Sequence, residues 1–181
     1  MHPPHPTRCS RAVGAAASER VANPGNDLRT KEMTMTTEPG ADELEVERLI
    51  AADPEAVFDG FLQIYDGDER PDWVLSSKMD LRTGGEWTVE LEPSGMKPFT
   101  EVRTIIELDR PKRLAYSMTV VGADSEEPIS SEVGLSFESR SGQTLVKLDQ
   151  RGFNSKQQAE MFEQTWPHVL TLLAERVEAT Q

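Results

Sequence analysis

Residues 155–177, SKQQAEMFEQTWPHVLTLLAERV, decide the fold. Phe162, Trp166, Val169, Leu170, Leu173 and Val177 recur every three to four residues, the repeat of a helix with one apolar face. Ser155 stands where an N-cap belongs, its hydroxyl able to accept from an amide that the first helical turn leaves unpaired. Pro167 removes one backbone donor from the middle of this run, so a kink or a restart is expected beside Trp166. A face this apolar needs a surface to cover it. The residues before it supply one.

Reading backward from Ser155, apolar residues alternate with polar ones, the two-residue period of half-buried strands. Val146, Leu148 and Gln150 form one such run, and Val133, Leu135 and Phe137 another, with a turn at Ser141 and Gly142 between them. A polar loop from Gly122 to Pro128 precedes these, after Leu114, Tyr116, Met118 and Val120. Asp109 to Pro111 and Pro93 to Gly95 are turns on either side of a strand from about Phe99 to Leu108. Trp87, Val89 and Leu91 face one way, Thr88, Glu90 and Glu92 the other, after a turn at Thr83, Gly84 and Gly85. Further upstream, Asp53-Pro54 pairs an N-cap carboxylate with a proline whose missing donor costs nothing at the first helical position. Val57, Phe58, Phe61, Leu62 and Tyr65 then carry a helix to about Tyr65, and Pro71 to Val74 suggest a second short turn of helix. Leu44, Val46, Leu49 and Ile50 read as a first strand. One strand, two short helices, a run of antiparallel strands to a total of six or seven, and a long final helix amount to an α+β domain. The final helix lies on one sheet face.

The chain has 181 residues, enough for one ordinary domain with a core. Residues 1–40 hold five prolines and almost no apolar periodicity, so they are expected to be a disordered tail. The domain is placed at residues 42–181. Residues 1–34 carry five basic and three acidic side chains, so the chain's net charge of −13 arises downstream of residue 34. Met35 reads as a natural start, which would make the upstream segment a start-site extension. The acidity is the wrong sign for a surface that tracks phosphates, so no nucleic-acid partner is expected. Cys9, the single cysteine, lies in the tail, which fits a cytoplasmic location. No apolar run approaches the length of a membrane span.

Four segments carry a family resemblance: IAADPEAVF at 50–58, DLRTGGEW at 80–87, DRPKRL at 109–114 and WPHVL at 166–170. In this order they resemble the SRPBCC or START-like superfamily, in its branch similar to the activator of the heat-shock chaperone ATPase. The resemblance implies a helix-grip fold, a curved antiparallel sheet wrapped around the C-terminal helix with an elongated cavity between them. Thr165 stands where the family often has glycine, and Met118 where it often has a large aromatic; both bear on the cavity's size and shape.

Of the three histidines, His2 and His5 lie in the tail and His168 stands alone, so no zinc arrangement is available to the domain and no metal or other cofactor is expected. Neither a nucleophile elbow nor a phosphate-binding loop is present. With the cavity that the resemblance implies, the leading reading is a non-enzymatic binding module for a hydrophobic small molecule. Trp73, Trp87, Tyr116, Met118, Phe137, Phe162 and Trp166 are its expected lining, with Gln150 a polar contact either to ligand or to the final helix. His168 is a candidate acid or base at the cavity mouth, and Glu90 falls on the wet face. A cyclase- or hydrolase-like activity would need an acid/base pair, and none stands out. The resemblance implies two further readings. One is self-sacrifice resistance, in which an enediyne or related polyketide natural product is bound and the backbone is cleaved at a loop glycine, by motif position Gly122. The other is a chaperone partner whose ATPase this chain stimulates.

Overall fold

A computed structural model describes residues 43–123 and 129–180. The tail at 1–40, with Cys9, His2, His5 and the start at Met35, lies outside the described residues, as does most of the loop before Pro128. Nine elements follow one another. They are β1 (Glu43–Ile50), α1 (Pro54–Asp66), β2 (Val74–Met79), β3 (Glu86–Leu91), β4 (Phe99–Asp109), β5 (Arg113–Val121), β6 (Ile129–Arg140), β7 (Gln143–Arg151) and α2 (Lys156–Glu178). The seven strands make one antiparallel sheet in the order β1-β7-β6-β5-β4-β3-β2. Strands β2 to β7 each pair with their chain neighbour, and β1 closes onto β7. This is the helix-grip arrangement.

Local chemistry sets the element ends. At the start of α1 the Asp53 carboxylate accepts from the Ala56 amide at 2.9 Å, a cap worth about 1 kcal/mol. Val57, Phe58, Phe61, Ile64 and Tyr65 form its buried face. The Ser155 hydroxyl accepts from the Gln158 amide at the start of α2.

The second short helix expected at Pro71–Val74 does not form. The Val74 amide donates to the Pro71 carbonyl at 2.9 Å, closing a turn, and the Glu92 amide donates to the Trp73 carbonyl at 2.8 Å. Those four residues offer no apolar helical face, whereas an open edge of β3 offers a full ladder of partners. The segment therefore leaves the turn as edge strand β2.

At Pro167, where a kink or a restart is expected, helix α2 does not restart. It runs unbroken from Lys156 to Glu178. Threonine hydroxyls bracket the proline: Thr165 donates to the Met161 carbonyl and Thr171 to the Pro167 carbonyl. Tertiary packing holds the rod together. The indole N–H of Trp166 donates to the Gln150 side-chain oxygen at 2.5 Å, and the Gln150 amide donates to the Ser131 hydroxyl at 2.8 Å, so α2, β7 and β6 are linked through one buried amide. Near the other end Arg176 donates to the Gln63 carbonyl in the last turn of α1 at 2.7 Å. The two helices meet at Gly60, where an added Cβ would lie 2.5 Å from a Val177 methyl.

A cavity between sheet and final helix

The two helices do not fill the space over the sheet evenly. Toward the first half of α2 a cavity of about 630 Å³ remains, within the size range of small-molecule sites. Leu91, Phe99, Val120 and Ile129 form its floor from four strands, and Phe162, Trp166, Val169 and Leu172 its roof. Tyr65 and Trp73 close one side. Met96 and Met161, both exposed, stand at the rim, where their flexible thioethers suit a wall that must adapt to its contents. A second recess of about 730 Å³ is lined chiefly by serine, threonine and charged residues at the ends of β5, β6 and β7.

The first cavity contains one strongly polar feature. Successive inward positions of β4 are Glu101, Arg103 and Ile105, and all three are buried. Arg103 is 1% exposed and Glu101 6%. The Arg103 guanidinium donates to the Glu101 carboxylate through Nε at 3.0 Å and Nη2 at 2.5 Å, both to Oε2. The rings of Trp87, Tyr65 and Tyr116 lie 4.2, 4.3 and 5.0 Å from its centre. A desolvated cation against an aromatic face is stabilised by roughly 2 kcal/mol, which offsets part of the cost of burying it. Among the described residues Nη1 of Arg103 and the Tyr116 hydroxyl have no hydrogen-bond partner.

The cage changes the acid–base behaviour of its members. Burial pushes the Tyr65 and Tyr116 phenols above their ordinary value of 10.0, and the Arg103 charge only partly opposes it. For Arg103, burial works against the charged form, but the oxygens of Tyr116, Glu101 and Tyr65 outweigh it, so the guanidinium is held protonated.

The residues expected to line a pocket divide in two. Trp73, Phe162 and Trp166 stand on the cavity wall. Trp87 and Tyr116 instead form the cation cage behind it, and Phe137 packs edge-on against Phe58, centroids 5.2 Å apart. Met118 is buried and borders the polar recess. Gln150 bonds the terminal helix, the second of the two roles open to it. His168 lies on the cavity lining and is exposed. Glu90 faces outward, accepting from the Ser76 hydroxyl at 3.2 Å. Gly122 adopts φ +87° immediately before Ala123 of the cavity wall. Glu101 and Arg103 were missed by sequence reasoning. Their signal was the same two-residue alternation that placed the apolar residues, continued through two charged positions.

The comparisons agree with this architecture. A family model described as "Activator of Hsp90 ATPase homolog 1-like protein" matches residues 51–178. The chain belongs to that family. As a member of the Hsp90 ATPase activator-like family it also shares its fold with distant solved proteins. It is similar to protein CV1439 from Chromobacterium violaceum, at 22% identity over 76% of this chain and 97% of that one, with a TM-score of 0.63. CalU16 from Micromonospora echinospora shares 20% identity over 82% and 85% of the two chains, with a TM-score of 0.56. Protein Ms6760 from Mycobacterium smegmatis shares 15% over 82% and 96%, with a TM-score of 0.61. No curated protein matches the chain. Among the described residues, no helix is long and apolar enough to cross a membrane.

Proposed function

We propose that this member of the Hsp90 ATPase activator-like family binds a hydrophobic small molecule between its sheet and α2. The observation that carries the reading is the cavity of about 630 Å³ walled by Trp73, Phe99, Phe162 and Trp166. A cleft of this size keeps apolar wall in contact with water, and a ligand that covered that wall would be stabilised by its burial. The test is titration with N-phenyl-1-naphthylamine, a neutral dye that brightens in apolar surroundings. Saturable one-to-one binding is expected, with a raised melting temperature. It is expected to vanish in Leu172→Trp, which fills the roof. Absence of binding in the wild type, or undiminished binding in a folded Leu172→Trp, would count against the cavity as the site.

Gly122 favours a second reading, self-sacrifice toward an enediyne. Its backbone is exposed, holds a positive φ and adjoins the cavity wall at Ala123, so a bound reactive molecule would lie near a Cα without side-chain shielding. Incubation with an activated enediyne is expected to give two fragments separated at Gly122. An intact mass would rule this reading out.

A further inference from the structure

The apolar walls say what would hold the body of a ligand, and the buried pair on β4 says something about its polar end. Glu101 and Arg103 both border the cavity. Of the two, Glu101 retains more open surface, its side chain 8% exposed against 1% for Arg103. Both contacts from Arg103 fall on Oε2. Among the described residues no donor meets the other oxygen, Oε1. Oε1 is not among the fully buried polar atoms that lack a partner, so it keeps surface toward the cavity, where a donor on a ligand can reach it.

We propose that Glu101, held in place by Arg103, is the polar anchor of the cavity and accepts a hydrogen bond from a neutral aromatic hydroxyl on the bound ligand. This rests on the reading of the cavity as the binding site. Three considerations select the donor. An ionised carboxylate only accepts, so the ligand must donate. Arg103 already compensates the Glu101 charge, so a ligand ammonium would enter as an unpaired buried cation, and a ligand carboxylate would meet the Glu101 carboxylate as a like charge. The surrounding rings of Tyr65, Trp73, Phe99, Phe162 and Trp166 present faces and edges suited to a planar body. The caged guanidinium then acts as a positioning group: fixed by Trp87, Tyr65 and Tyr116, it keeps Oε2 occupied and leaves Oε1 for the ligand.

Calorimetric titration of the full chain with 2-naphthol, 2-methoxynaphthalene and 2-naphthoate tests this. The first two share a ring system and an oxygen and differ in the donor. Expected is 2-naphthol binding about tenfold tighter than 2-methoxynaphthalene, the worth of one hydrogen bond to a charged group, with 2-naphthoate weakest. In Glu101→Gln, whose amide keeps an oxygen for Arg103 and turns an NH₂ to the cavity, the two neutral compounds are expected to bind within about twofold. Far-ultraviolet circular dichroism checks that the variant is folded, and Glu101→Leu combined with Arg103→Met, which removes the charges together, serves if it is not. Equal wild-type affinities for the two neutral compounds, a preference that survives in either variant, or tightest binding of 2-naphthoate would overturn the anchor while leaving the cavity in use. Binding of none of the three would overturn the cavity reading itself.

Discussion

Replacing Arg103 by methionine removes a charge that the fold has enclosed on every side and strands the carboxylate paired with it. Arg103→Met keeps an unbranched, apolar side chain of similar reach, so the loss is chiefly electrostatic. Glu101, 6% exposed, then has no counter-charge. Breaking a buried ion pair from one side typically costs about 3–5 kcal/mol, because the remaining ion is left desolvated. For a domain of this size that amounts to a fall in melting temperature of roughly 10 °C. Removing both charges, by Glu101→Leu with Arg103→Met, is expected to cost less than the single change, since no orphan ion remains. Urea denaturation at pH 7 measures the single and the double variant through the midpoint, provided the slope is unchanged. A single variant within 1 kcal/mol of wild type, or a double variant less stable than the single, would refute the reasoning.

Other consequences are expected at separate points of the fold. Gly60→Val should destabilise by about 1–3 kcal/mol, because its Cβ meets a stiff Val177 methyl at 2.5 Å where the helices cross; thermal denaturation measures it. Gln150→Leu breaks both hydrogen bonds of the buried amide and leaves the Trp166 N–H and Ser131 hydroxyl unpaired. A loss of about 2–4 kcal/mol is expected, together with a red shift of tryptophan emission. The chain's two tyrosines are Tyr65 and Tyr116, both buried in the cation cage. Absorbance at 295 nm should therefore show no tyrosinate at pH 10 while the protein stays folded. Their raised folded-state values mean that the stability they contribute is complete below the ordinary value of 10.0 and is lost as pH rises above it. Tyrosinate at pH 10 in the native protein would show the cage to be open to solvent.

Much of the scaffold was legible because its signals are local. Asp53-Pro54 states a helix start within two residues, and Trp87, Val89 and Leu91 declare a strand face within five. Where local signals were balanced, distant partners decided. Pro71–Val74 resembles a helical turn by itself, but the Glu92 amide draws it onto the sheet. Pro167 lacks a donor, yet the packing of Trp166 onto Gln150 keeps the helix in one piece.

The cavity was harder to read, for a geometric reason. Alternation says which side of the sheet a residue faces, and Trp87 and Tyr116 both face inward. Whether such a residue borders open space depends on what lies across from it. Tyr65 arrives from α1 and Arg103 from β4, and together they fill the ground in front of Trp87 and Tyr116. Among the described residues no helix side chain fills the corresponding ground in front of Leu91, Phe99 and Ile129. Arg103 carries a charge on a buried phase of β4, and the three rings around it account for its place there.

The central claim is that the space beneath α2 is a binding site, and amide chemical-shift mapping with N-phenyl-1-naphthylamine tests it most directly. The account predicts perturbations gathered at Leu91, Phe99, Ile129, Val169 and Leu172, the two walls of the cavity. Saturable shifts confined instead to the outward face of the sheet, around Thr88 and Glu90, or no shifts at all, would contradict it.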